Sequence, residues 1–130
     1  MMSITQEWVD KAEADFATAG RELSVQNQPN NDAVCFHAQQ CIEKYLKARL
    51  VEANLPSPKI HDLEELLALN LPHEPLWEAF RPMLNDLTSY AVNYRYPGNS
   101  ATHEMAQTAV ANCRLIRQAI RNSLGLSRRA

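Results

Sequence analysis

The sequence predicts an all-α protein, an up-down bundle of four long helices plus one short helix, in a single domain over residues 1–130. Three observations favour this fold class. No segment alternates apolar and polar residues with the Val-, Ile- and Thr-rich composition that is typical of strands. Apolar residues instead recur at three- and four-residue spacing along four long segments. The connections between these segments are short enough for neighbouring helices to run antiparallel.

The first two long helices have recognisable starts and stops. Ser3, followed three residues later by a glutamine, has the spacing of a capping box, so the first helix is predicted from Ser3 to about Val25. The polar stretch QNQPNN then interrupts the apolar pattern. Asn31 or Asn30 is expected to cap the second helix, whose apolar spacing continues to about Ala53.

The second half of the chain contains one short and two long segments. A short helix is predicted at Asp62–Leu69, before a proline that cannot continue it. A fourth helix is predicted at about Leu76–Tyr94, in which Pro82 marks either a kink or the junction of two abutting helices. The Pro97-Gly98 pair stops the chain, and the last helix is predicted at about Thr102–Leu124.

Composition points to a soluble, reduced protein. The N-terminus lacks a basic segment followed by an apolar one, and no apolar run is long enough to span a bilayer, so we expect a cytoplasmic protein without a membrane partner. Cys35, Cys41 and Cys113 are odd in number, have no CxxC spacing and occupy predicted apolar helix positions. They are therefore predicted to be reduced residues of the core.

Neither a metal nor an organic cofactor is expected. The His61-Asp62 and His103-Glu104 pairs lack a second histidine at the helical spacing that suits a metal ion. With three glycines in the whole chain, there is no glycine-rich loop that could hold a phosphate.

Charge is distributed unevenly along the chain. Residues 1–104 hold 8 Lys and Arg against 15 Asp and Glu, whereas residues 105–130 hold five arginines and no acid. We expect these arginines to lie mostly on an exposed face of the last helix. Because no aromatic residue is interleaved with them, favourable interaction with the helix dipole explains them better than contact with nucleic acid does.

The second helix carries the most informative polar pattern. At about 100° per residue, its basic and hydrogen-bonding residues gather on one side and its apolar residues on another. The polar stripe consists of His37, Gln40, Lys44 and Lys47, and the apolar stripe of Val34, Ala38, Cys41, Tyr45 and Ala48. A core helix with one basic stripe indicates an anionic partner.

Two residues outside this helix extend the candidate site. Asp15 lies on the apolar face of the first helix, so it is expected to point inward and to need a cation, which Lys44 or Arg95 would supply. An interhelical salt bridge and a role in a ligand site are both open for Asp15. Arg95 is flanked by Tyr94 and Tyr96, which predicts a groove with rings and a forked donor. The predicted ligand-binding residues are Asp15, His37, Lys44, Lys47, Tyr94 and Arg95.

These pieces, in this order, resemble the HEPN domain. The run AVCFHAQQCIEKYLKA is followed by Pro-x-x-His-Asp-Leu at 58–63 and by Tyr-Arg-Tyr-Pro at 94–97. The spacing of Ala12 and Asp15 is also similar to that of the family's first helix, so the resemblance covers almost the whole chain.

The resemblance implies partners as well as a fold. HEPN domains are small helical bundles that often form dimers and are frequently encoded beside a minimal nucleotidyltransferase. They include metal-independent ribonucleases of toxin–antitoxin and defence systems. The expected partners are therefore a second copy of the chain, a minimal nucleotidyltransferase, and a nucleotide or RNA.

The ribonuclease branch of the family uses an arginine followed, after four to six residues, by a histidine. Such an arginine stabilises a phosphate and such a histidine moves a proton. Here the nearest match is Arg95 and His103, with seven residues between them, which departs from that pattern. The sequence therefore favours a binding role without catalysis, with two alternatives: a ribonuclease that uses Arg95 and His103, and a purely structural interaction module.

Overall fold

The computed structural model describes residues 1–93 and 96–126, which form five α-helices and one 3-10 helix. No strand occurs among them, so the predicted all-α class is confirmed. The elements in chain order are α1 at Ser3–Leu23, α2 at Asn31–Glu52, α3 at Leu63–Asn70, the 3-10 helix at Pro75–Phe80, α4 at Arg81–Asn93 and α5 at His103–Ser123.

α2 lies at the centre of the bundle and packs against the other four α-helices. α1 runs antiparallel to it, because Thr5 near the start of α1 bonds to Glu52 at the end of α2. α5 runs parallel to α2, since Arg49 in the last turn of α2 bonds to Ser123, the last residue of α5. These directions are those of an up-down bundle in which α1, α2, α4 and α5 alternate.

The central position of α2 explains its apolar stripe. The five residues of that stripe, predicted from their spacing, have no exposed surface: Val34, Ala38, Cys41, Tyr45 and Ala48. All three cysteines of the chain are buried and unpaired. Burial of such side chains supplies most of the stability of a small helical domain, at about 25 cal/mol for each Å² of apolar surface removed from water.

The start of α1 differs from the prediction. Ser3 does not form a capping box, because the cap residue is Met2 and no side chain of the same turn bonds to the free amides. Glu52 of α2 replaces the cap, since its Oε1 accepts hydrogen bonds from Met2 N at 3.0 Å and Thr5 Oγ1 at 2.8 Å. α1 also ends at Leu23, two residues earlier than expected.

Other helix starts follow local rules. The side chain of Asn30 caps α2 by accepting a hydrogen bond from Ala33 N, so the second of the two predicted caps is used. Asp62 caps α3, and Thr102 caps α5. Each of these two predicted helices therefore begins one residue later than expected, with its predicted first residue as the cap.

The predicted fourth helix is divided. The structure has the 3-10 helix at Pro75–Phe80 and then α4, which begins at Arg81. Pro82 lies in the first turn of α4, where its missing amide hydrogen would have no helical partner. The alternative of two abutting helices, rather than a kink, is therefore the correct one. Trp77 anchors the 3-10 helix because it is buried in the core.

Candidate functional site

The structure brings three of the predicted site residues together on the face shared by α1 and α2. Asp15 Oδ1 lies 2.7 Å from His37 Nδ1, and Asp15 Oδ2 lies 2.5 Å from Lys44 Nζ. Asp15 is buried, as its position on the apolar face of α1 predicted. Because both of its oxygens are engaged, the charge of Lys44 is compensated locally. We call these three residues the Asp15 cluster.

Lys47 belongs to a different group. Its Nζ lies 3.3 Å from Glu43 Oε2 and 5.7 Å from the centre of the Trp8 ring, and its side chain is 6% exposed. Glu43 Oε2 is also 3.0 Å from His61 Nδ1, and Glu43 Oε1 accepts a hydrogen bond from Gln39 Nε2 at 3.3 Å. We call these four residues, Gln39, Glu43, Lys47 and His61, the Glu43 cluster.

The two clusters have the same composition, a carboxylate with one histidine and one lysine, so neither presents an unpaired lysine to an anion. The basic stripe predicted on α2 is therefore compensated by carboxylates. The stripe was visible in the sequence, but the partners come from α1 for Lys44 and from within α2 for Lys47.

A cavity of about 300 Å³ lies between α2 and α4, beside the Glu43 cluster. Its wall combines aromatic and aliphatic side chains with amide, carboxylate, imidazole and hydroxyl groups. The lining residues are Phe36, Gln39, Gln40, Glu43, His61, Thr88, Ala91 and Val92. Ligand pockets typically have this mixture of apolar wall and few polar groups.

Thr88 is the least satisfied polar residue of this wall. Its Oγ1 is buried and has no hydrogen-bond partner, a state shared in the described part of the chain only by Asn70 Oδ1. An unsatisfied buried polar group costs about 1 to 3 kcal/mol. Gln40 also has spare capacity, because its Nε2 donates to Gln39 Oε1 at 2.8 Å while its own Oε1 makes no hydrogen bond to a described residue.

A second carboxylate, Glu13, lies where α1, α2 and α5 meet. Arg117 binds it with both Nε, at 2.6 Å, and Nη2, at 2.8 Å, and the hydroxyl of Tyr45 donates to it. Arg121 completes this Glu13 network through a 3.0 Å hydrogen bond to the Tyr45 hydroxyl. The guanidinium of Arg117 also lies 4.2 Å from the centre of the Phe16 ring.

The Glu13 network corrects one prediction about the last helix. Arg117 and Arg121 are buried, whereas we expected the arginines of this helix to lie mostly on an exposed face; only Arg114 among these three is exposed. Burial raises the pKa of Glu13, but hydrogen bonds from Arg117 and Tyr45 and the charges of Arg117 and Arg121 outweigh it and hold that pKa below its ordinary value. The hydrogen bond to Glu13 raises the pKa of Arg117.

The residues of the ribonuclease alternative are only partly described. Tyr94 and Arg95 lie outside the described residues, so the predicted groove around them has no structural counterpart here. His103 is the exposed first residue of α5, and its Nδ1 lies 3.1 Å from Asn31 Oδ1 at the start of α2. His103 therefore belongs to neither the Asp15 cluster nor the Glu43 cluster.

Two further classes of site were searched among residues 1–93 and 96–126. No group of three or more His, Cys, Asp or Glu side chains there is arranged to hold a metal ion. None of the helices in these ranges combines the length and the apolar composition needed to cross a membrane.

Some polar residues of the cavity were missed by sequence reasoning. Glu43 and Gln39 are on α2, but their periodic positions did not distinguish them from a solvated face. Thr88 carried no signal, because nothing local marks a threonine of α4 as buried opposite α2. His61 was noted in the sequence but was assigned to the turn before α3.

Comparison with known proteins gives one result. A family model described as HEPN domain matches residues 5–123 of the 130-residue chain. No curated protein and no solved structure matches it significantly.

Proposed function

The chain belongs to the HEPN domain family, and we propose that it acts as a module that binds a nucleotide or RNA without cleaving it. The observation that carries this proposal is the separation between the polar cavity and His103. The groups with unused hydrogen-bonding capacity gather between α2 and α4, whereas His103 is engaged at the first turn of α2.

The separation is large for a single phosphate. Asn31, the partner of His103, precedes Gln39 by eight residues and Glu43 by twelve, which correspond to about 12 and 18 Å along a helix axis. A general base must lie within hydrogen-bond reach of the proton that it removes. A ligand in the cavity would therefore be out of reach of His103 of the same chain.

The position of His103 on α5 also favours binding over cleavage. It is the first residue of that helix, where the positive end of the helix dipole disfavours the protonated imidazole. An acid–base cycle on RNA needs this protonated form. The seven-residue spacing between Arg95 and His103 supports the same conclusion.

Compensated charges predict how the ligand is held. Lys44 and Lys47 are each paired with a carboxylate, so neutralisation of phosphates would contribute little to binding. Hydrogen bonds and stacking would then supply most of the affinity, and the affinity would fall only weakly as salt is raised.

Two protein partners belong to the same proposal: a second copy of this chain and a minimal nucleotidyltransferase, within a toxin–antitoxin or defence system. Membership of the family supports them. Sedimentation equilibrium at micromolar concentration tests the homodimer, which a species of 14.7 kDa alone would contradict. An adjacent nucleotidyltransferase gene whose product co-purifies with the chain would support the other partner.

Titration of a short fluorescent single-stranded RNA in EDTA tests the function. We expect a rise in anisotropy with added protein, little change between low and physiological salt, and intact RNA on a denaturing gel after long incubation. The variant His103→Ala should bind equally well. Cleavage by the wild type that disappears in His103→Ala, with unchanged circular dichroism, would overturn the proposal and favour the ribonuclease. Absence of any binding would favour the purely structural module.

A further inference from the structure

We infer that the cavity between α2 and α4 holds one unstacked nucleobase. This inference rests on the proposed function and names the place where the ligand binds. Four properties of the cavity carry it: its volume, its aromatic wall, its unused hydrogen-bonding groups and its compensated charge.

The volume suits one base better than a whole nucleotide. At about 300 Å³, the cavity is at the lower end of the range for ligand pockets, about 300 to 1,000 Å³. A flat heterocycle and part of its ribose fit in such a space, while the phosphates remain outside. A base of a longer RNA strand can therefore enter without the strand being enclosed.

The wall offers a stacking surface. Phe36 of α2 lines the cavity and is half-buried, and its ring meets the ring of His37 edge-on, with centroids 5.3 Å apart and planes at 81°. This contact helps to fix the orientation of the Phe36 ring. Ala91 and Val92 of α4 line the same cavity and add small apolar groups to it. A base gains free energy by stacking on an aromatic ring regardless of its sequence.

The polar groups of the wall match the edge of a base. Thr88 Oγ1 is buried without a partner and can both donate and accept a hydrogen bond. Gln40 has an unused carbonyl oxygen and a second N–H on its amide. Because the edges of nucleobases carry donors and acceptors side by side, a hydroxyl and an amide at one wall suit such an edge.

The charge of the wall favours a neutral ligand. Glu43 is 5% exposed, and Lys47 lies 3.3 Å from its Oε2, so the carboxylate does not need a cationic ligand for compensation. A phosphate next to Glu43 would be repelled by the carboxylate. A neutral, flat group with several hydrogen-bonding atoms is therefore the ligand that this wall accepts at the lowest electrostatic cost.

Free nucleosides test the cavity directly, because they carry a base without phosphates. We expect adenosine or guanosine to shift the side-chain amide signals of Gln39 and Gln40 in two-dimensional NMR spectra of the wild-type protein. Thr88→Val should weaken nucleoside and RNA binding about tenfold while leaving the melting temperature unchanged or slightly higher, since it removes an unsatisfied hydroxyl. Phe36→Leu should also weaken both ligands about tenfold.

Two matched controls come from exposed positions of α5. Thr108→Val and Gln107→Ala make the same kinds of change away from the cavity and should leave binding as in the wild type. Gln40→Ala, by contrast, should weaken binding severalfold. A Thr88→Val protein that is less stable than the wild type would show that the hydroxyl has a structural partner, and would overturn its role as a free ligand group.

The two ligands separate the inference from the proposed function. RNA that binds equally to the wild type, Thr88→Val and Phe36→Leu, without any nucleoside shift at Gln39 and Gln40, would overturn the base pocket and leave the RNA-binding function standing. Nucleosides that bind at the cavity while RNA does not bind would support the pocket and overturn the function. Failure of both ligands to bind the wild type overturns both.

Discussion

Two carboxylates on different sides of the bundle have similar neighbours and different surroundings. Glu13 lies between α1, α2 and α5, and Arg117 and Tyr45 occupy its oxygens. Glu43 lies where α2 faces α4, with Lys47 and His61 as partners and the cavity beside it. Both are paired acids in a small helical protein, yet only one of them borders space that a ligand can enter.

The difference lies in what remains unused. Arg117 has 1% of its side chain exposed and holds Glu13 with two parallel hydrogen bonds, the strongest geometry available to such a pair. Around Glu43, by contrast, His61 is 80% exposed and Thr88 Oγ1 is buried without a partner. Buried charges that are fully satisfied hold helices together, whereas leftover hydrogen-bonding capacity next to empty space indicates a binding site.

The largest expected effect is on the Glu13 network. Arg117→Met should lower the free energy of unfolding by about 3 to 5 kcal/mol, because it leaves a carboxylate among packed helices without its bidentate partner. Chemical denaturation followed by circular dichroism measures this loss. Arg114→Met is the matched control, since Arg114 is exposed on the same helix and lies farther from Phe16, at 5.7 Å; it should change the stability by less than about 1 kcal/mol.

The same change near Glu43 sharpens the comparison. Lys47→Met should cost less than Arg117→Met, about 1 to 2 kcal/mol, because His61 and water in the cavity still solvate Glu43. Equal losses in Arg117→Met and Lys47→Met would contradict the distinction between an enclosed and an open carboxylate.

Acid should act on the enclosed carboxylate. The pKa of Glu13 in the folded protein lies below its ordinary value of 4.5, so the network stabilises the fold above that pH and loses this contribution as the pH falls through the folded pKa. The free energy of unfolding should therefore decrease on acidification below about pH 4.5. In Glu13→Gln, this decrease should be smaller, although the variant is less stable at neutral pH. Parallel curves for the two proteins would show that other acids control the transition.

The sequence predicted the helices better than their ends and their buried ions. Apolar spacing depends on local geometry, so the core stripe of α2 was readable in a single segment. The capping box at Ser3 was wrong because the group that bonds there, Glu52, lies about fifty residues away in the sequence. Arg117 was expected on an exposed face for a similar reason, because its partner Glu13 lies on α1.

The candidate site shows the same limit. Asp15 was expected to need a cation, and Lys44 was one of two cations proposed, since an acid on an apolar face requires a partner. Nothing in the sequence paired Lys47 with Glu43 or turned Thr88 toward α2. A cavity arises from the way in which two helices pack, and periodicity within either helix does not report the space between them.

The smallest expected effect concerns the Asp15 cluster, and it tests the anion site that the sequence predicted. Because Asp15 compensates Lys44, Lys44→Ala should weaken RNA binding less than about threefold, within the range of a solvent-screened charge. Asp15→Asn should strengthen binding slightly at low salt, because it leaves Lys44 without its carboxylate. Anisotropy titrations at two salt concentrations, with folding checked by circular dichroism, measure both. A tenfold loss in Lys44→Ala would mean that Lys44 contacts a phosphate despite its pairing, so that the basic stripe of α2 rather than the neighbouring cavity provides most of the affinity.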